Sequence, residues 1–167
     1  GIKVLHYIPA GVWFWGRWRA SILAKEGLAV ATIFPQEQKI YEKKGVEAHF
    51  VGHPLVGDLT PLMGQKKDEK LIALLPGSRP QELSTLLPEI FKAVELLQKE
   101  RKDLKFTLAL VTELEESLEK KAVDLQIDIV YNGSRELLAR AGLAIVASGT
   151  ATLEAALLST AAVIIYK

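Results

Sequence analysis

Cysteine is absent from the 167 residues of this sequence, and several other features are scarce. Its absence excludes disulfide bonds and thiolate chemistry, and it is compatible with a reducing compartment. No run of about 18 apolar residues has the composition of a membrane-spanning helix, and no segment has the pattern of a signal peptide. The formal net charge of +1 gives no general electrostatic reason to expect nucleic-acid binding.

Residues that bind metals or act as nucleophiles do not form a recognisable motif. His, Asp and Glu never occur at the spacing of a metal site, and no nucleophile lies beside a base in the sequence. We therefore expect neither a metal ion nor another cofactor. Of the three histidines, His6 and His49 lie in strand-like segments, so His53 is the one candidate for a catalytic base within the chain.

Apolar segments alternate between the strand and helix patterns along the whole chain. Hydrophobic residues make up 49% of it, enough for a packed core. The pattern predicts strands over 2–8, 28–34 and 48–51 with helices over 13–25 and 36–44. Further strands are predicted over 71–75, 106–110, 127–131, 143–147 and 163–166. After the first of these, Ile90, Phe91, Val94 and Leu97 have helical spacing. Repeated β-α units of this kind predict doubly wound parallel sheets.

A polar stretch over 64–70 separates two such patterns, which predicts two Rossmann-like domains. We assign residues 1–57 to the later part of an N-terminal domain, 58–70 to a connection and 71–167 to a C-terminal domain. The apolar segments at both ends lack the helices that would cover a parallel sheet. We therefore expect this chain to be the central part of a longer protein, with the N-terminal domain incomplete and the C-terminal domain truncated.

Two loops that follow predicted strands have the composition of phosphate-binding loops. In each, small residues precede a helix whose N-terminal amides attract anions, and ligands bind beyond the carboxyl ends of parallel strands. These loops predict a site for a nucleotide diphosphate. The candidate residues are Gly77, Ser78 and Arg79 in the first loop and Ser148, Gly149 and Thr150 in the second. Asn132 and Gly133 either contact the base or form a plain turn.

Three of the candidate side chains also have a purely structural interpretation. Ser78 and Gln81 match a capping box. Arg79 offers forked donors to diphosphate oxygens, or it forms a surface ion pair. Glu154 either accepts both hydroxyls of a ribose or is a solvated carboxylate that complements the helix dipole.

The densest aromatic and basic cluster lies near the start of the chain. It comprises Trp13, Phe14, Trp15, Arg17, Trp18 and Arg19. Aromatic residues at helical spacing usually pack into a core, but four large rings within six residues exceed what one helix face buries. The interleaved arginines favour an interface with membrane headgroups or with another protein.

With these residues in view, the chain resembles the lipid-A-disaccharide synthase family, whose members are GT-B glycosyltransferases. The most specific stretches are residues 74–79 (Leu-Leu-Pro-Gly-Ser-Arg) with Glu82, and residues 147–155 (Ala-Ser-Gly-Thr-Ala-Thr-Leu-Glu-Ala). Residues 12–15 (Val-Trp-Phe-Trp) and 50–55 (Phe-Val-Gly-His-Pro-Leu) extend the resemblance over nearly the whole chain.

The resemblance implies transfer of 2,3-diacylglucosamine from its UDP conjugate to 2,3-diacylglucosamine 1-phosphate, a step of lipid A and lipopolysaccharide biosynthesis. It implies that Arg79 holds phosphate, that residues 148–150 hold the diphosphate side and that Glu154 holds the ribose. The aromatic cluster would contact acyl chains. The implied enzyme is cytoplasmic and peripheral on the inner membrane of a Gram-negative-type cell, and a homodimer is left open. The catalytic base is expected upstream of Gly1, so we expect this chain alone to bind nucleotide without catalysing transfer.

Two alternatives remain at this point. The first is another UDP-GlcNAc-using GT-B enzyme, such as a 2-epimerase or the peptidoglycan GlcNAc transferase, which would share a Glu after a Ser-Gly loop. The second is a nucleotide-binding module without catalytic activity. Protection from thermal unfolding by UDP alone, without sugar, would test for the nucleotide site.

Overall fold

Parallel β-strands alternate with helices along the chain, for which the computed structural model describes residues 2–9, 11–12, 16 and 18–166. Two units are present, Gly1–Asp58 and Leu59–Lys167. Residues 59–70, most of the predicted connection, are grouped with the second unit. A 3-10 helix at Thr60–Leu62 contacts a helix of that unit, and its first strand already begins at Asp68. Strand structure therefore starts three residues earlier than predicted.

The first unit is a small parallel sheet with helices between its strands. In chain order its elements are β1 (Leu5–Tyr7), α1 (Trp18–Lys25), β2 (Ala29–Thr32), α2 (Pro35–Glu42), β3 (Ala48–Phe50) and α3 (Pro54–Leu59). The strands pair in the order β1-β2-β3. The buried core consists of Val12, Ala20, Val30, Tyr41, Val46 and Ala48.

Two elements of the first unit are shorter than predicted. The strand expected over 2–8 is confined to β1, because its pairing with β2 covers only three residues. The helix expected from residue 13 begins at Trp18. Gly16 has a φ of +81°, a left-handed conformation that does not continue a helix. The helix α3 was not predicted.

The second unit contains a five-stranded parallel sheet. In chain order its elements are β4 (Asp68–Leu75), α4 (Pro80–Glu100), β5 (Lys105–Leu110), α5 (Glu116–Asp124), β6 (Ile127–Tyr131), α6 (Ser134–Arg140), β7 (Ala141–Ala147), α7 (Thr150–Leu157) and β8 (Ala161–Ile165). All neighbouring strands pair in parallel. The five strands predicted from residue 71 onward are confirmed.

Helices cover both faces of this sheet, as the pattern predicts. In β4, Ile72 and Leu74 pack into the cluster that contains the apolar side of α4 and part of α5. Ala73 lies on the opposite face and is also buried, and on the other side of the sheet α6 contacts β4 and β5 while α7 contacts β7 and β8. The doubly wound parallel arrangement is therefore confirmed.

The strand order β6-β5-β4-β7-β8 places a change of winding direction next to β4. From β4 the chain proceeds outward through β5 to β6, and it then returns to the other side of β4 as β7. In doubly wound sheets, ligands bind outside the carboxyl ends of the strands at such a switch point. The two predicted phosphate-binding loops follow β4 and β7, the strands that flank this point.

Candidate functional site

A cavity of about 300 Å³ opens at the carboxyl ends of β4, β5 and β7. Its lining contains most of the residues predicted from the two loops. The lining residues are Leu75, Gly77, Ser78, Arg79, Glu82, Ala109, Leu110, Val111, Asn132, Ser134, Ala147, Ser148, Gly149, Thr150 and Ala151. The fold thus joins segments that are about 70 residues apart in the chain into one site at the switch point.

The loop between β4 and α4 is shaped by a glycine and a carboxylate. Gly77 has a φ of +101°, in the left-handed region that favours glycine. A β-carbon at this position would collide with the carboxylate of Glu82. The backbone therefore approaches Glu82 more closely than any other residue at position 77 would allow.

The N-terminus of α4 is capped by Glu82, which corrects the prediction of a Ser78–Gln81 capping box. The N-cap residue is Arg79, and Pro80 occupies the first helical position. Oε2 of Glu82 accepts hydrogen bonds from the backbone N–H groups of Ser78 and Arg79, at 3.2 and 3.4 Å. The observed capping box lies one residue later than the predicted one. Pro80 fixes the start of the helix, so Glu82 is its third residue.

Arg79 and Glu82 also form an ion pair at the mouth of the cavity. Nη1 of Arg79 donates to Oε1 of Glu82 at 2.9 Å. The backbone N–H of Arg79 is the main cause that lowers the pKa of the Glu82 carboxyl, and the Arg79 side chain and the Ser78 amide act in the same direction. The side chain of Arg79 is 81% exposed. Arg79 therefore forms the surface ion pair and is also one of the residues that line the cavity, and its role in holding phosphate stays a prediction.

The loop between β7 and α7 presents a second helix N-terminus to the cavity. The backbone N–H of Ser148 donates to the carbonyl of Ile165 in β8 at 2.9 Å, which anchors the loop to the sheet. Gly149 is the N-cap of α7, and its carbonyl accepts the hydroxyl of Thr152 at 2.7 Å. Because the first amides of a helix have no acceptor within the helix, residues after Ser148 supply the donors that an anion would use.

The third side of the cavity comes from the ends of β5 and β6. Asn132 lines it in a left-handed conformation with a φ of +56°, which Asn tolerates better than most residues. Its backbone N–H donates to the carbonyl of Leu110 at 2.9 Å. Gly133 is the N-cap of α6 and is not among the lining residues. Leu110 and Val111 were missed, although the strand-end rule that found the other loops applies equally to β5.

Glu154 lies one turn inside α7 and is not among the residues that line the cavity. It is only 8% exposed. Its Oε1 accepts a hydrogen bond at 2.9 Å from Nε of Arg135, the second residue of α6. The interpretation of Glu154 as a solvated carboxylate at a helix start is therefore wrong, because α6 covers it and supplies a cation. The pairing partner was not predicted. The ribose interpretation of Glu154 stays a prediction.

The remaining predicted residues belong to the first unit. Nδ1 of His53 accepts a hydrogen bond from the backbone N–H of Leu55 at 3.2 Å. In a neutral ring the proton is then on Nε2, so His53 would have to give up this bond before acting as a base. Its ring lies 5.7 Å from that of Phe34.

Part of the aromatic cluster lies outside the described residues, namely Trp13, Phe14, Trp15 and Arg17. Trp18 begins α1 with 64% of its surface exposed. The guanidinium carbon of Arg19 lies 5.6 Å from the Trp18 ring centroid, within the range of a cation–π contact. No helix among the described residues is both long and apolar enough to cross a membrane.

The described part of the chain has no group of three His, Asp or Glu side chains placed to hold a metal ion. The positive charge beside the cavity comes from Arg79, one of its lining residues, and from the N-termini of α4 and α7. This arrangement suits an anion with several oxygens, such as a diphosphate.

Comparison with known proteins gives matches over the whole chain. A family model described as lipid-A-disaccharide synthetase matches residues 1–167. Curated relatives named lipid-A-disaccharide synthase include those of Colwellia psychrerythraea, 37% identical over 182 residues, and Coxiella burnetii, 36% identical over 176 residues. Each alignment covers 100% of this chain, and the chain covers 46% and 47% of these two relatives. The chain thus spans about half the length of the curated relatives it matches.

One solved structure has a similar fold at low sequence identity. It is a Staphylococcus aureus TarM mutant in complex with fondaparinux, α-GlcNAc-glycerol and UDP, with a TM-score of 0.51 and 13% identity. The match covers 87% of this chain and 31% of that chain. At this identity the likeness concerns the fold alone, the GT-B type with Rossmann-like parallel sheets.

Proposed function

Since this chain belongs to the lipid-A-disaccharide synthetase family, we propose that its second unit binds the UDP group of UDP-2,3-diacylglucosamine. We propose further that the whole protein transfers the diacylglucosamine to 2,3-diacylglucosamine 1-phosphate. The products are the β-1,6-linked lipid A disaccharide 1-phosphate and UDP. The relatives' printed names support this proposal, and the cavity supplies a site of suitable chemistry in this chain.

The reaction is a single displacement at the anomeric carbon of the donor sugar. The acceptor hydroxyl oxygen forms the new glycosidic bond as the bond between the anomeric carbon and the diphosphate oxygen breaks. The electron pair of the broken bond leaves with UDP, and a general base accepts the hydroxyl proton. In our proposal the displacement inverts the anomeric centre.

The observation that carries the nucleotide assignment is the convergence of two helix N-termini and one arginine on a single cavity. Negative charge develops on the diphosphate as the sugar departs, and preorganised donors at that position stabilise it. Arg79 offers a forked guanidinium, while the starts of α4 and α7 offer backbone amides and a partial positive charge. We propose that these groups serve the leaving group and that no cofactor is needed.

The same proposal places the intact protein at the cytoplasmic face of the inner membrane, because both lipid substrates reside in a membrane. The exposed Trp18 and the nearby guanidinium of Arg19 support this part of it. An aromatic ring and a guanidinium side by side suit the headgroup region, where one partner is apolar and the other pairs with phosphate.

Calorimetric titration with UDP tests the proposal directly. We expect Arg79→Ala to weaken UDP binding about ten- to hundredfold, since a hydrogen bond to a charged group contributes about 1.5–3 kcal/mol. Arg101→Ala is the matched control, because Arg101 pairs with Asp103 at the other end of α4 and should leave affinity unchanged. Equal UDP affinity in the wild type and in Arg79→Ala would contradict the assignment.

A second experiment separates this enzyme from other users of UDP-GlcNAc. The intact protein should release UDP only when both acylated substrates are present. Release from UDP-GlcNAc with a soluble acceptor would instead identify a different GT-B transferase. UDP binding without any release would identify a nucleotide-binding module.

A further inference from the structure

Glu82 contacts the same donors that the proposed function assigns to the diphosphate. Its two carboxylate oxygens accept the backbone N–H groups of Ser78 and Arg79 and the Arg79 guanidinium. Glu82 is itself a lining residue of the cavity. The donors that a phosphate would use at the start of α4 are therefore already hydrogen-bonded to the Glu82 carboxylate.

We infer that Glu82 is an internal competitor of the diphosphate, which must displace the carboxylate from the amides of Ser78 and Arg79 in order to bind. This inference rests on the proposed function and adds a residue that sets the affinity of the same site. The displaced carboxylate would turn toward solvent. About a third of its side-chain surface, 32%, is already exposed.

The lengths of the two amide hydrogen bonds favour such an exchange. The two bonds from the amides to Oε2 measure 3.2 and 3.4 Å, whereas charge-assisted N–H···O bonds are typically about 2.7–2.9 Å. A phosphate oxygen that approaches the amides more closely would make the stronger bonds. Gly77 permits that approach, because no β-carbon stands between the loop backbone and the carboxylate position.

Helix α2 in the first unit begins with a similar cap, and none of its residues is among those that line this cavity. Its start, Phe34-Pro35-Gln36-Glu37, repeats the Pro-Gln-Glu of residues 80–82. The carboxyl of Glu37 accepts the backbone N–H of Phe34, and its burial raises its pKa.

Two differences separate the two caps. Glu37 is almost fully buried, at 4% exposure, whereas about a third of the Glu82 side-chain surface is exposed. Position 34 is a phenylalanine, so this cap has no guanidinium at the place of Arg79. An arginine paired with the capping glutamate is therefore not required by the cap itself and occurs where the helix start faces the cavity.

Substitution by glutamine separates competition from capping. In Glu82→Gln the side-chain oxygen can still accept both amides, but the negative charge is gone. We expect UDP to bind about five- to thirtyfold more tightly, because a like charge near the diphosphate has been removed. Inorganic pyrophosphate should gain affinity by a similar factor, and uridine should not change.

Glu89→Gln is the matched control. Glu89 pairs with Lys92 at the same i, i+3 spacing on the same helix and is not a lining residue. Its substitution should leave the affinities for UDP and pyrophosphate unchanged. Glu82→Ala, which removes the cap as well as the charge, should also bind pyrophosphate more tightly if it is folded by circular dichroism.

The results distinguish this inference from the proposed function. UDP binding that depends on Arg79 but does not tighten in Glu82→Gln would overturn the inference and leave the nucleotide site intact. Weaker UDP binding in Glu82→Gln would also overturn it and would mean that Glu82 orients Arg79. If Glu82→Gln binds pyrophosphate more tightly but UDP binds no more tightly than pyrophosphate, the competition is supported. The assignment of the site to UDP is then contradicted, because the uridine group adds nothing to the affinity.

Discussion

Nε of Arg135 donates a hydrogen bond to Oε1 of Glu154 at 2.9 Å, which joins the first turn of α6 to the middle of α7. Both helices begin at the cavity, with Ser134 and Thr150 among its lining residues. The ion pair therefore ties together two helices that form part of the cavity wall. It also gives Glu154 a structural role that can be measured separately from a role in ribose binding.

We predict that Glu154→Gln weakens the binding of UDP more than that of 2′-deoxy-UDP, because the carboxylate would accept both ribose hydroxyls and the deoxynucleotide has only one of them. Calorimetry with the two nucleotides measures this difference. Arg135→Ala should lower the free energy of unfolding by about 1–3 kcal/mol in urea, since it leaves a nearly buried carboxylate without its cation.

Equal losses for the two nucleotides would contradict the ribose role of Glu154. They would mean that Glu154, like Arg135, acts by keeping α6 and α7 in place.

Gly77 and Gly149 line the same cavity, but we predict different costs for adding a methyl group. Gly77→Ala should lower the free energy of unfolding by about 1–3 kcal/mol, because it forces a left-handed conformation on alanine and collides with Glu82. Gly149→Ala should change it by less than about 0.5 kcal/mol, since open space surrounds that position. Thermal and urea unfolding of both variants test this. Equal destabilisation by the two substitutions would contradict it.

Local patterns were sufficient to predict much of this fold. The apolar runs and their spacing predicted the strands of the second sheet and the helix that covers it. The rule that ligands bind at the carboxyl ends of parallel strands predicted the two loops of the cavity. Both signals arise from residues that are close together in the sequence.

Features that depend on tertiary contacts were not predicted. Arg135 and Glu154 are 19 residues apart and meet only because α6 and α7 pack side by side. Glu82 belongs to one of the motifs that carry the family resemblance, but its hydrogen bonds with the amides of Ser78 and Arg79 were not predicted. They require the helix to start at Pro80. The start of α1 was misplaced because apolar spacing does not reveal the left-handed conformation of Gly16.

Lys67, the residue before β4, bonds to α6 and to the residue before β8, and we predict that its removal is destabilising. Nζ donates to the carbonyl of Leu138 at 2.9 Å and to the hydroxyl of Thr160 at 2.7 Å. Lys67→Met should lower the free energy of unfolding by about 1–3 kcal/mol, because those acceptors lose a charged donor. Lys66→Met, which changes an adjacent exposed lysine, is the control and should have no effect.

The pH dependence of stability gives an independent check on Lys67. Burial lowers the pKa of its ammonium group below the ordinary value of 10.5. Between the lowered value and 10.5 the unfolded chain binds more protons at this site than the folded chain, so this site makes stability rise with pH in that window. The rise should be smaller in Lys67→Met than in the wild type. An identical pH profile would contradict the assignment.

Trp18 and Arg19 should bring the intact protein to anionic membranes. Trp18 is exposed at the start of α1, and the guanidinium carbon of Arg19 lies 5.6 Å from its ring centroid, so an indole and a guanidinium lie side by side, which suits the headgroup region. We predict that Trp18→Ser reduces co-sedimentation with vesicles containing phosphatidylglycerol, while the melting temperature stays within a few degrees of the wild type. Val123→Ser is the control, because Val123 is about equally exposed, at 66%, but lies on α5 of the second unit and is not part of the aromatic cluster. Unfolding of Trp18→Ser, or equal vesicle binding by both variants and the wild type, would contradict a membrane role and favour packing of this tryptophan within the protein.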